Sequence, residues 1–154
     1  MKVLMVCLGN ICRSPMAEGI LRTRAAERGR VVHTDSAGTS DNHLGEAPDP
    51  RAQAAMRRRG MDIRDLRARQ FRSADLAGFD HIFVMDRSNL ANVLALAGEP
   101  AHRSKVRLMM DVLPSRTLVD VPDPYFGGDD GFDAVFEQLD AAINHFLDEV
   151  DGHR

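Results

Sequence analysis

Lysine is almost missing from this chain: its 154 residues hold only Lys2 and Lys105, so arginine supplies nearly all of the positive charge. Long apolar runs are missing as well. Nowhere do about 18 apolar residues follow one another, and no basic flank with an apolar run opens the chain, so neither a membrane span nor a signal peptide is expected. Cysteine is confined to Cys7 and Cys12. Two thiols so close together make a poor disulfide framework, which points to a cytoplasmic protein whose cysteines do chemistry. The histidines His33, His43, His81, His102, His145 and His153 show no metal-ligand spacing, and with no further cysteine a zinc site is not expected. The net charge of -3 gives no general attraction to nucleic acid or to an anionic membrane. The arginines between Arg57 and Arg72 have no interleaved aromatics and read as a solvated face around Asp62 and Asp65. Repeats, low-complexity tracts and linkers are also absent, so residues 1–154 are expected to form a single domain.

What the chain does contain is an alternation of two patterns. Lys2–Val6 is short, apolar and unalternating, as suits a strand buried on both faces. A helix is predicted from Ser14-Pro15 to Gly29, with proline in its first turn. Strands are predicted over Val31–Ser36, His81–Met85 and Lys105–Met110, and helices over Pro50–Arg59 and Ser88–Ala97. The last helix carries a continuous stripe from Phe132 to Val150 behind Asp130 as capping candidate. Strands alternating with helices imply a parallel sheet covered on both faces, with ligands beyond the carboxyl ends of the strands. The loop-rich stretches near residues 38–50 and 114–130 are expected to form the rims of that site.

Cys7-Leu8-Gly9-Asn10-Ile11-Cys12-Arg13-Ser14 falls at such an end, with C-x5-R-S spacing between a strand and a helix. A loop curling back onto a helix N-terminus aims several N–H groups and the positive end of the helix dipole at one spot, which forms an anion site. Gly9 permits the tight turn, and Asn10 tolerates a left-handed backbone. Arg13 can hold two phosphoryl oxygens in its planar fork. The same groups would stabilise a thiolate at Cys7, and the Ser14 hydroxyl could donate to the sulfur. Expulsion of an alcohol or phenol also needs a proton donor. Asp123, stiffened between Pro122 and Pro124, is the candidate, with a turn aspartate bonded to its own backbone as the bland alternative. Cys12 is balanced between loop packing and redox protection, and Tyr125 between lining the slot and packing on its rim.

The segments C-L-G-N-I-C-R-S-P-M-A-E at 7–18, D-S-A-G-T at 35–39, M-D-R-S-N at 85–89 and D-P-Y-F at 123–126 resemble the low-molecular-weight protein tyrosine phosphatases over nearly the whole chain. The resemblance implies a flavodoxin-like α/β fold in three layers, a four-stranded parallel sheet with helices on both faces. It also implies hydrolysis of phosphotyrosine through a cysteinyl phosphate, without metal or other cofactor. By it Cys7 is the nucleophile, Arg13 the phosphate-binding arginine and Asp123 the general acid and base. Asn10, Ser14 and Ser36 form a hydrogen-bond network, Asp86 supports the loop from beneath, and Cys12 is a redox partner for Cys7. The slot would be lined by Asn42, His43, Tyr125 and Phe126, with Asn42 where many relatives carry an aromatic residue. The partner would be a phosphotyrosine-containing protein, such as a bacterial tyrosine kinase or a host protein, met by a monomer or weak dimer.

Three other functions share these features. An arsenate reductase on this scaffold needs relay cysteines that the chain lacks beyond Cys12. An arginine phosphatase of this kind carries threonine where Ile11 stands. A non-catalytic phosphoprotein-binding module should lack the nucleophile or the acid, whereas Cys7 and Asp123 are both present.

Overall fold

A computed structural model describes residues 1–114 and 119–152. Part of the rim expected at 114–130, and His153, therefore lie outside the described residues. Four strands, β1 (Lys2–Cys7), β2 (His33–Gly38), β3 (His81–Val84) and β4 (Val106–Leu108), form one all-parallel sheet in the order β2-β1-β3-β4. Helices cover both faces, giving the flavodoxin-like three-layer arrangement. The helices are α1 (Arg13–Glu27), α2 (Pro50–Arg57), α3 (Asp75–Gly78), α4 (Arg87–Leu94), α5 (Pro100–Arg103) and α6 (Asp129–Val150).

The central strand explains both layers. Val3 and Met5 enter a core shared with α1, α2 and α6, while Leu4 and Val6 enter a second core with Leu76, Ile82 and Val93. All four of these β1 residues are fully buried, as an unalternating apolar run demands. The stripe of α6 closes the larger core, where Phe146 meets the Phe83 ring edge-on at 4.8 Å. Such a pair contributes about 0.5–1.5 kcal/mol beyond its area burial. The chain leaves β1 toward β2 on one side and leaves β3 toward β4 on the other, so the strand order reverses between the C-terminal ends of β1 and β3 and opens a crevice there.

Several boundaries differ from those the sequence predicts. β2 runs His33–Gly38, because pairing with β1 starts at Lys2 against His33 and leaves Val31 exposed. The apolar run expected as a strand to Met110 pairs only over Val106–Leu108. Met109–Val112 then turn in a 3-10 helix that sinks Met109 and Met110 into the core beside α6. Asp130 caps nothing: Gly128 is the N-cap of α6, and Asp129 and Asp130 lie in its first turn, where the helix dipole favours negative charge. α4 starts one residue earlier and stops at Leu94, held by a reciprocal capping box between Asp86 and Asn89. The four-residue helices α3 and α5 are too short to leave a periodic signal.

The arginine-rich stretch is not simply a solvated face. Arg58 and Arg59 both reach Asp133 of α6 at 2.7 Å, and Arg59 lies over the Phe136 ring. Arg69 bridges Asp35 and Asp75, each at 3.0 Å. Arg64 and Asp62 do form the expected exposed pair. Among the described residues, no helix is long and apolar enough to cross a membrane.

Candidate active site

β1 delivers Cys7 to the crevice, and the chain then curls through Leu8–Cys12 into α1. Two neighbouring segments shape that curl. Thr39 and Ser40, just past β2, donate their backbone N–H groups to the carbonyls of Cys7 and Leu8, and Asp49 donates its own to Ile11. Gly38 touches the loop backbone itself: a Cβ there would stand 2.7 Å from the Leu8 carbonyl oxygen, so only glycine fits. Asn10 has φ +58°, the left-handed turn expected of it. No side chain caps the first turn of α1, which leaves its N–H groups and the dipole to an anion in the loop.

The Cys7 sulfur is surrounded by donors. The Asn10 amide N–H points at Sγ from 3.3 Å, and the Ser14 hydroxyl lies 3.0 Å away. The direction of that second bond follows from the neighbours. Asn10 Nδ2 donates to Ser14 Oγ at 2.8 Å and to Ser36 Oγ at 3.0 Å, while Asn10 Oδ1 accepts the Arg69 backbone N–H at 2.9 Å. With Ser14 Oγ already accepting, its one hydrogen is left for the sulfur, the alternative carbonyl of Ala37 being 3.5 Å away. Ser36 in turn donates to Glu18 Oε1 at 2.7 Å. The predicted network of Asn10, Ser14 and Ser36 is thus assembled, with Glu18 as an additional member.

Arg13 is 2% exposed and fixed at both ends of its fork. Nη1 donates to Asp86 Oδ2 at 2.7 Å and to the Val121 carbonyl at 3.0 Å, and Nη2 lies 3.6 Å from Asp123 Oδ2. Asp86, the N-cap of α4, thus holds the arginine that closes the loop. Burial works against the guanidinium charge, but the Cys7 charge, the bond and charge of Asp86 and the charge of Asp123 outweigh it and raise the Arg13 pKa. Asp123 divides its two oxygens. Oδ1 accepts the Tyr125 backbone N–H at 3.0 Å, as in the bland turn reading, and Oδ2 faces Arg13.

Cys7, Arg13 and Asp123 open onto one cavity of about 140 Å³. Leu8, Gly9, Ile11, Cys12, Asn42, His43, Tyr125 and Phe126 complete its lining. His43 adds a second ring to the lining, with its centre 6.2 Å from that of Tyr125 in a tilted pair and its edge over Gly9. Asn42 contributes to the lining without an aromatic face. Phe126 is 93% exposed, and Tyr125 more than a third. Both cysteines are free and buried. Burial pushes the Cys12 thiol pKa well up, and the charges of Asp49, Cys7 and Asp123 add to that, with Arg51 opposing. Among the described residues, no group of three or more His, Cys, Asp or Glu side chains could hold a metal ion.

Arg51 is a further residue to which the sequence reading gave no role. It pairs with Asp49 at 3.0 Å, donates to the carbonyls of Tyr125 at 2.9 Å and Gly127 at 3.1 Å, and lies over the Tyr125 and Phe132 rings. One arginine therefore ties the start of α2 to the segment carrying Asp123. The one available signal was Asp49-Pro50, a helix start that places Arg51 on the first turn.

A cysteine in an arginine-closed loop at the switch point of a parallel α/β sheet defines a class of phosphate-handling proteins. Residues 2–154 match the family described as low molecular weight phosphotyrosine protein phosphatase, and the chain belongs to that family. It is 40% identical to the low molecular weight phosphotyrosine protein phosphatase of Schizosaccharomyces pombe, over 97% of this chain and 96% of the relative. The protein tyrosine phosphatase of Entamoeba histolytica, solved with Hepes in its active site, superposes with a TM-score of 0.94 at 34% identity, covering 99% of this chain and 97% of that one. A drosophila arginine phosphatase superposes with a TM-score of 0.93 at 33% identity over the full length of both chains.

Proposed function

We propose that residues 1–154 act as one cytoplasmic domain that hydrolyses phosphotyrosine in proteins by two displacements at phosphorus. In the first, the Cys7 thiolate attacks phosphorus, the P–O bond to tyrosine breaks, and Asp123 gives its proton to the departing phenolate. In the second, Asp123 takes a proton from water as its oxygen attacks the cysteinyl phosphate. The P–S bond breaks, and the thiolate and inorganic phosphate are released. Arg13 and the loop amides hold the equatorial oxygens throughout, where charge builds in each transition state. Ser14 donates to sulfur at the start and again as it departs.

The observation that carries this reading is the convergence of Cys7, Arg13 and Asp123 on one cavity, with Asp123 Oδ2 3.6 Å from Arg13. If a peroxide oxidised the Cys7 thiolate to a sulfenic acid, the Cys12 thiol beside it would displace the hydroxyl as water to close a disulfide, and so protect the nucleophile from further oxidation. A protein such as a tyrosine kinase or a host target would be the substrate.

A second reading is phosphoarginine hydrolysis, favoured by the likeness to an arginine phosphatase and opposed by Ile11, which has no hydroxyl to offer the guanidinium. The test is hydrolysis of p-nitrophenyl phosphate in the presence of a chelator by wild type, Cys7→Ser and Asp123→Ala, followed by phosphotyrosine, phosphoserine and phosphoarginine peptides. Chelator-resistant turnover that is lost in the serine variant, with tyrosine peptides preferred, supports the proposal. Binding of phosphate without turnover would replace it with a binding module, and cleavage of phosphoarginine alone would change the substrate.

A further inference from the structure

Glu18 lies on α1, 5% exposed, and is not among the residues that line the cavity. Its carboxylate ends a line of four hydrogen bonds: Glu18 to Ser36 at 2.7 Å, Ser36 to Asn10 at 3.0 Å, Asn10 to Ser14 at 2.8 Å and Ser14 to Cys7 at 3.0 Å. The line is nearly symmetric about Asn10. A central amide donates outward to two serine hydroxyls, and each hydroxyl donates to an acceptor at its end, a carboxylate on one side and the cysteine sulfur on the other.

We infer that Glu18 is a positioning residue for the Cys7 nucleophile: by taking the Ser36 hydrogen, its carboxylate leaves Ser36 to accept from Asn10, so that Asn10 donates to Ser14 as well and the Ser14 hydrogen is left for the sulfur. A serine hydroxyl has one hydrogen. With that hydrogen held by Glu18, Ser36 can only accept from Asn10, and Asn10 must present its NH2 edge to both serines. The Arg69 N–H on Asn10 Oδ1 confirms the same orientation from the opposite side. Without an acceptor at position 18, the Ser36 hydrogen competes with an Asn10 hydrogen in a buried space, and the orientation at Ser14 loosens. The charged groups facing Glu18 are Asp35 on β2, Arg22 on its own helix and Asp65 on the segment before Arg69. Burial raises the Glu18 pKa, with the Ser36 bond opposing, so this carboxylate is kept in an unfavourable place. That supports a role beyond solubility.

This inference rests on the reading of Cys7 as nucleophile, and the test separates the two. The pH dependence of Cys7 alkylation by iodoacetamide, localised by mass spectrometry, is measured with no substrate present in wild type, Glu18→Gln and Glu18→Met. Glutamine removes the charge but keeps an acceptor for Ser36, and methionine removes both. The expected order is glutamine equal to or faster than wild type, and methionine slower by about three- to tenfold near pH 6, the size of one weakened hydrogen bond to a charged group. Ser36→Ala should be slowed similarly, and it decides the matter if the methionine variant does not fold. In a Ser14→Ala background the Glu18→Met change should have no further effect, because the line is already cut.

Both Glu18 variants reacting faster than wild type would mean that only charge matters, and would overturn the inference. Additive slowing with Ser14→Ala, or Ser36→Ala reacting like wild type, would do the same. If Cys7 of the wild type shows no thiolate reactivity and no turnover, the functional reading itself fails.

Discussion

Cys7 and Asp123 face the same cavity from segments held in different ways. Apart from Leu8 and Gly9 at its surface, the cysteine loop is buried: Cys7, Asn10, Ser14 and Ser36 are each at most 4% exposed, and their polar atoms bond to one another. The Asp123 side chain is 38% exposed, and its segment is tied by one turn bond, by Arg51, by Arg13 at Asp123 and the Val121 carbonyl, and by Val121 donating to the Met85 carbonyl. The difference follows from what each end must recognise. A phosphoryl group has the same size and charge in every substrate, so its site can be built once into the core. The leaving side meets whatever carries the phosphate, and a loosely anchored rim can adapt to it.

Four measurements would break or sharpen this contrast. The largest effect is expected from Arg13→Lys. It leaves the charge but loses the fork, so kcat should fall by about 10²–10³-fold on every phosphate ester alike. Asp123→Asn should lower kcat by about 10²-fold on phosphotyrosine and clearly less on p-nitrophenyl phosphate, whose leaving group needs little protonation. Equal losses on both esters would place Asp123 outside proton transfer. Arg51→Met should lower kcat on phosphotyrosine by roughly tenfold, through a misplaced acid, while the alkylation rate of Cys7 stays as in wild type. A parallel loss at Cys7 would erase the distinction between the two ends.

The smallest effect concerns stability. Burial disfavours the Asp49 charge, but the bonds from Arg51 and from the first turn of α2 outweigh it and hold its pKa below the usual carboxylate range. A lowered folded pKa gives stability that is present above the unfolded value, about 4, and is lost as pH falls through the folded one. The Tm difference between wild type and Asp49→Asn should therefore be full at pH 6 and close toward pH 3.

How well the sequence could be read follows the same division. Cys7, Arg13, Asn10 and Ser14 are close in sequence, and their spacing between a strand and a helix is itself the chemical signal, so the cysteine loop was legible before any fold was known. The sheet was legible too, because β1 buries both faces and shows it as an unbroken apolar run. Glu18 and Arg51 were not, because their partners are distant: Ser36 on the neighbouring strand for one, and the carbonyls of Tyr125 and Gly127 for the other. A carboxylate inside a helix and an arginine after Asp-Pro look like ordinary surface residues until topology brings those partners in. Of the two slot residues expected at 42 and 43, the sequence could not tell which brings a ring beside Tyr125, since the turn through 42–45 decides that it is His43. The strand expected to reach Met110 failed because apolarity alone does not separate a strand from a buried turn.

The contact between Gly38 and the Leu8 carbonyl has a consequence for engineering. Transplanting C-x5-R-S onto another parallel sheet would carry over the cysteine, the arginine and the serine, yet not the neighbouring strand end that presses against them. A host with any side chain at that place would push the Leu8 carbonyl outward and open the ring of amides. The smallest transferable unit is therefore two strand ends from different parts of the chain, and a designer who copied eight consecutive residues would be moving half of a device.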